Sequence, residues 1–194
     1  MNKNQTYIQH LQAEDVPWHR LDTAYGTAAD FPAYFHTLWN MSDPIAVREA
    51  LTEIQSSIEH QSTLWHSTPF TMIFLARIIE HAIPETGKNA CADYIINNLL
   101  DFFALIADTC QEAEEMEHDD PLPAFSDLLQ EDYLGPETED EEAEDMRYEE
   151  GILDDILYSF WYYSYEVLLS CKPLLKKLED TPFHKQAAEL EDML

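Results

Sequence analysis

Residues 30–58 read DFPAYFHTLWNMSDPIAVREALTEIQSSI, and this stretch decides the fold class. Asp30 stands before Phe31-Pro32. An aspartate there can accept a hydrogen bond from an unpaired N–H of a first helical turn, and the proline costs nothing because the N–H it lacks has no helical partner. Phe31, Tyr34, Phe35, Leu38 and Trp39 then recur at the spacing of one helical face. Ser42-Asp43-Pro44 repeats the start signal, and Val47, Ala50, Leu51, Ile54 and Ile58 form the inward face of a second helix. The two helices make a hairpin.

The same punctuation recurs outward. Ser67-Thr68-Pro69 opens PFTMIFLARIIEHA, apolar on several faces as expected of a helix packed between neighbours. A fourth helix is expected from about Asn89 to Thr109, through Ala92, Ile95, Ile96, Leu99, Leu100, Phe103 and Ile106. From about Tyr148 a long helix carries two apolar stripes, with Phe160 and Trp161 among them, and a third arc of Tyr158, Tyr162, Tyr165 and Leu169. Thr181-Pro182 starts a last helix using Phe183, Ala187, Leu190 and Leu194. Upstream, Tyr7, Ile8 and Leu11 suggest a short helical turn, and residues 16–29 read as irregular backbone with a turn at Gly26.

Pro32 and Pro69 lie 37 residues apart, each opening a helix followed by another. That spacing is close to the roughly 40-residue period of HEAT-type helix pairs, which bury their apolar faces by stacking on one another. The expected fold is therefore all-α, HEAT-like stacked helical hairpins in a single domain over residues 1–194, with an ordinary helical bundle as the alternative.

Charge narrows the function. The chain holds 39 acidic residues against 10 basic ones, a formal net charge of −29. Nucleic acids and anionic membranes require clustered Lys and Arg, so neither is an expected partner; a basic protein is. The scattered Cys91, Cys110 and Cys171 suit free buried thiols in a reducing compartment, and with no apolar leader at the N-terminus the cytoplasm is the expected location. Eight histidines occur without HExxH or Cys/His ligand spacing, so they are expected to bridge backbone groups in irregular segments, not to hold a metal. No GxSxG, phosphate-cradling glycine loop or CxxC occurs, and most carboxylates fall in polar runs or on outer helix faces. The expectation is a binding protein with no catalytic residues, metal or cofactor.

The acid is concentrated. Glu112 to Glu150 contains 18 acidic residues and one base, Arg147, hence 17 of the 29 net negative charges. It reads as an acidic insertion within the domain, partly mobile. Pro121 to Tyr133, with Leu122, Phe125, Leu128 and Leu129, is expected to dock on the body as a short amphipathic helix, and Glu137 to Asp145 to be mobile. Acidic groups interleaved with aromatic ones can both steer a basic partner and hold it. The candidate partner-binding residues are Asp119, Asp120, Phe125, Glu131, Asp132, Tyr133, Glu139, Asp140, Glu141, Glu142, Glu144, Asp145 and Tyr148. An acidic helical adaptor for a basic cellular protein has the same signature.

PWHRLDTAYGTAADFP at residues 17–32 and IEHQSTLWHSTPF at residues 58–70 resemble bacterial immunity proteins of polymorphic toxin systems, in particular those paired with nuclease toxins of contact-dependent growth inhibition. The resemblance covers roughly residues 16–83. It implies a cytoplasmic antidote that binds a toxin's C-terminal nuclease domain, an RNase of the EndoU kind being one candidate, and blocks its active site. It also implies that Trp18, His19, Arg20, Tyr25, Asp30, His60 and Trp65 are shared positions. These are expected to be scaffold, with Arg20 pairing with an internal acid, and the acidic stretch to contact the partner.

Overall fold

A computed structural model describes residues 3–113, 116, 118, 120–137 and 156–194. The chain is all-α, with two-residue strand pairs as its only sheets among those residues. Helix α1 spans Lys3–His10, α2 Phe31–Asn40, α3 Pro44–Ile58, α4 Thr68–Ala82 and α5 Ala90–Glu112. After the acidic stretch come α6, Leu157–Ser170, the short α7, Lys172–Lys176, and α8, His184–Met193.

Start signals fix these boundaries unequally. The Asp43 carboxylate accepts hydrogen bonds from the backbone N–H groups of Ile45 and Ala46, and the Asn89 side chain accepts from Cys91 N–H. Asp30 departs from expectation: it has helical backbone angles and makes no side-chain cap, so only the proline half of that signal operates. Asp43→Ala is accordingly expected to cost about 1 kcal/mol in chemical denaturation, whereas Asp30→Ala should cost only a small fraction of that.

The helices stack in order. α2 packs on α3 as the expected hairpin, α2 also packs on α4 and α3 on α5, and α4 packs on α5. Beyond them α6 lies against α4 and α5, and α8 lies against α5. The result is one layer of α2, α4 and α6 and a second of α3, α5 and α8. This order establishes layered helices and does not by itself establish a HEAT repeat, since the third pair is interrupted by α7 and follows a long acidic connection.

α4 and α5 occupy the centre. α4 buries residues on every face, including Phe70, Met72, Ile73, Leu75, Ile78 and Ile79, as its sequence anticipates. α5 is long and apolar enough to cross a membrane by length and composition, but slightly over half of its apolar window, 56 %, is buried against neighbouring helices. All seven of its sequence-assigned inward residues are buried. Trp39 on α2 differs from expectation. It is 46 % exposed, with its ring stacked on His81 of α4 at 3.8 Å at the edge of the contact between the two helices.

The irregular N-terminal segment is a plug between α2 and α4. Trp18, 4 % exposed, donates from its indole N–H to the Ala13 carbonyl at 2.8 Å and lies edge-on to Phe35 and Phe74. Gly26 takes φ +107° in the turn joining the first strand pair, a conformation open to few other residues. Arg77 on α4 donates to the Leu11, Ile8 and Gln9 carbonyls, closing the C-terminal end of α1.

Candidate partner-binding surface

The described part of the acidic stretch docks on this scaffold at two points. The first is apolar. Residues Phe125–Leu129 form one 3-10 turn where a short amphipathic helix was expected. Phe125, 1 % exposed, stacks nearly parallel to Tyr163 of α6 at 4.4 Å and is walled by Phe70 of α4 and Tyr7 of α1 at 5.1 and 5.2 Å. The Tyr163 hydroxyl donates to the Pro123 carbonyl at 2.6 Å. His66, fully buried, stacks on Phe160 at 5.2 Å and binds the Leu128 carbonyl through Nε2 at 2.7 Å. A carbonyl only accepts, so Nε2 carries the proton. This is the backbone-bridging role expected of the histidines.

The second point is polar. Arg20, 6 % exposed, donates Nη1 and Nη2 to the two carboxylate oxygens of Glu131 at 2.9 and 2.7 Å, a fork on a fork. Nη1 also reaches Glu137 at 2.8 Å, Nε donates to the Gly135 carbonyl at 2.5 Å, and Gly135 N–H returns a bond to the Arg20 carbonyl at 2.9 Å. His19 lies 3.3 Å from the other oxygen of Glu137. Arg20 thus pairs with internal acids, as anticipated. The hydrogen bond from Arg20 is the chief reason that the Glu131 carboxyl is held below its ordinary range, and the same bond raises the guanidinium.

These contacts revise the candidate residues. Phe125 is a core anchor and not a contact surface. Glu131 serves the clasp, although its side chain stays 78 % exposed. Tyr133 is half-buried and packs against the core. Asp120 and Asp132 are exposed, as a contact role requires. Asp119, Glu139, Asp140, Glu141, Glu142, Glu144, Asp145 and Tyr148 lie outside the described residues. Glu137, expected to begin a mobile run, is instead held by Arg20. The one sequence signal for this clasp is a base beside Trp18 in a chain with so few bases; its partners, more than 100 residues away, carry no signal of their own.

Among the shared positions, Trp18 and Arg20 are scaffold. Tyr25 is not: its ring is 66 % exposed, with its hydroxyl 3.2 Å from His60 Nδ1. No group of three or more His, Cys, Asp or Glu side chains is placed to hold a metal ion among the described residues. Cys91, Cys110 and Cys171 are free and buried, and burial pushes the Cys110 and Cys171 thiols up to about 12. At neutral pH they stay protonated, which removes the thiolate that nucleophilic chemistry needs.

Fold and surface together define an all-α protein that holds an acidic ledge, residues 120–137, against its helices. Neither a protein-family model, nor a curated protein, nor a solved structure matches the chain.

Proposed function

We propose that the protein is an immunity protein of a polymorphic toxin system, which binds a basic nuclease toxin domain and neutralises it by occluding its active-site cleft. The observation that supports this most directly is the fixed acidic ledge. Arg20 supplies one positive charge to two carboxylates, Glu131 and Glu137, so the clasp remains net negative; Asp132, next to Glu131 in the chain, is exposed, as is Asp120, 3.9 Å from His118. Nucleases bind phosphate with Lys and Arg, and carboxylates held in place on a rigid scaffold compete for the same cations without being cleaved. The acids of residues 139–145 add long-range attraction, felt over about 8 Å at physiological salt. Its site of action on this reading is the cytoplasm, and it needs no catalysis or cofactor of its own.

Co-expression tests the reading. Cells producing the nuclease domain encoded beside this gene, an RNase of the EndoU kind first, are expected to survive when this protein is present, with a stable complex on gel filtration and nuclease activity abolished. Continued killing and no complex would refute it. A complex that leaves the nuclease rate untouched would point to the adaptor role.

Salt dependence gives a second measurement. Replacing Asp120, Asp132 and the acids at Glu139, Asp140, Glu141, Glu142, Glu144 and Asp145 with their amides should slow association at least tenfold at low salt. It should also flatten the fall of that rate with ionic strength. Unchanged association kinetics would show that these acids only solvate the surface.

A further inference from the structure

The third arc of α6 forms a cleft that neither the Arg20 clasp nor the Phe125 anchor uses. It lies between α5 and α6, is lined by Cys110, Gln111, Tyr158, Trp161, Tyr162 and Tyr165, and has a volume of about 430 Å³. Ligand pockets commonly measure roughly 300–1,000 Å³. Tyr162 is 39 % exposed, whereas Trp161 is 6 % exposed and belongs to the wall. The wall is tied down: Tyr165 Oη donates to the Leu194 carbonyl at 3.4 Å, Gln111 Nε2 to the Met193 carbonyl at 3.2 Å, and Cys110 Sγ to the Trp161 carbonyl at 3.4 Å. At its outer end His118 stacks on Tyr158 at 4.0 Å, and Tyr158 and Tyr162 lie 6.5 Å apart.

Among the described residues the lining offers aromatic faces, tyrosine hydroxyls, the Gln111 amide and the Cys110 thiol, which is engaged with the Trp161 carbonyl. The surroundings are acidic. Glu166, which accepts from Asn4 Nδ2 at 3.2 Å, follows Tyr165 on α6, and Asp120 lies 3.9 Å from the His118 ring that stacks on Tyr158. The Tyr162 hydroxyl registers this field: its pKa is raised by burial first, then by Glu166 and Tyr158. An anion would be repelled here, and a neutral apolar group would gain nothing from the acids. A cation gains from both the carboxylates and the negative faces of the rings. Among protein cations the guanidinium is planar, weakly hydrated and able to stack on tyrosine, whereas an ammonium is a compact, strongly hydrated charge.

We propose that the cleft between α5 and α6 receives an arginine side chain of the basic protein partner, stacked against Tyr162 and Tyr158 with the surrounding carboxylates balancing its charge. This deepens the proposed function and rests on its premise that the partner is a basic protein.

The test uses the full chain and nona-arginine, with nona-lysine and a neutral Gly/Ser peptide of equal length as comparisons. Nona-arginine is expected to shift the aromatic NMR resonances of Tyr158, Tyr162 and Tyr165, at lower concentration than nona-lysine. Tyr162→Ala is expected to weaken nona-arginine binding about tenfold, and Tyr162→Phe to retain most of it. Silent cleft resonances, equal shifts with the neutral peptide, or full affinity in Tyr162→Ala would each overturn the proposal. If Tyr162→Ala fails to fold, the wild-type shift pattern decides. A cleft that binds nona-arginine in a protein that gives no protection keeps this inference and removes the nuclease reading; protection with a silent cleft does the reverse.

Discussion

Phe125→Ala is expected to lower the unfolding free energy by about 3–5 kcal/mol, the usual cost of emptying a fully buried aromatic site. The ring lies between three elements that are remote in sequence, with Tyr7 of α1, Phe70 of α4 and Tyr163 of α6 around it. Little can collapse into the space, because Phe70 and Tyr163 belong to helices fixed by their own cores. Urea unfolding measures the loss, and amide exchange gives its location: protection should fall at Leu128 and Leu129 before it falls in α4. Phe125→Leu should cost far less, since it keeps most of the volume and loses only the ring stacking. A Phe125→Ala loss below about 1 kcal/mol would contradict the packing described here. For function the expected consequence is indirect. On the proposed function, the ledge would lose its fixed position while keeping every charge, so partner binding should weaken through faster dissociation with little change in the rate of association.

Arg20→Met is expected to cost about 2–3 kcal/mol, the scale of losing charge-assisted hydrogen bonds while retaining side-chain volume. The loss is smaller than for a pair buried on both sides because Glu131 and Glu137, 78 % and 69 % exposed, regain water when the guanidinium is removed. The buried Gly135 carbonyl, however, loses the Nε donor.

The pH dependence has a definite sign. The Glu131 carboxyl is held below its ordinary value in the folded protein, so its contribution is fully present above the unfolded carboxylate pKa of about 4.3 and disappears as pH falls through the lowered folded value. The clasp should therefore be intact at neutral pH and open in acid. NMR titration of the Glu131 side chain should show the depressed midpoint in the wild type and an ordinary one in Arg20→Met. Equal midpoints in the two proteins would exclude the clasp.

Much of the scaffold was legible because a helix writes its inward face at a fixed period. Val47, Ala50, Leu51, Ile54 and Ile58 share one face of a helix whatever lies opposite, and all five are buried. The same logic located α4, α5 and the last helix, and separated the tyrosine arc of α6, half-buried except for the exposed Tyr162, from the buried Phe160, Trp161, Tyr163, Val167 and Leu168. Capping was less legible. Asp30 and Asp43 precede prolines in nearly the same way, yet only Asp43 has the extended backbone that lets its carboxylate reach back to the first turn.

The acidic stretch shows where local reading ends. Composition established its charge, and the spacing of Phe125, Leu128 and Leu129 established that part of it docks. Neither could indicate that Phe125 is a core residue and that Arg20 reaches Glu131, Gly135 and Glu137 across more than 100 residues. The sequence by itself determined the helices, their inward faces and the excess of negative charge, since each depends on residues within one or two turns. Only the tertiary structure decided which carboxylates are held, which aromatic rings are buried and which form the cleft between α5 and α6. Those outcomes depend on distances between elements, and a one-dimensional pattern contains no such distances.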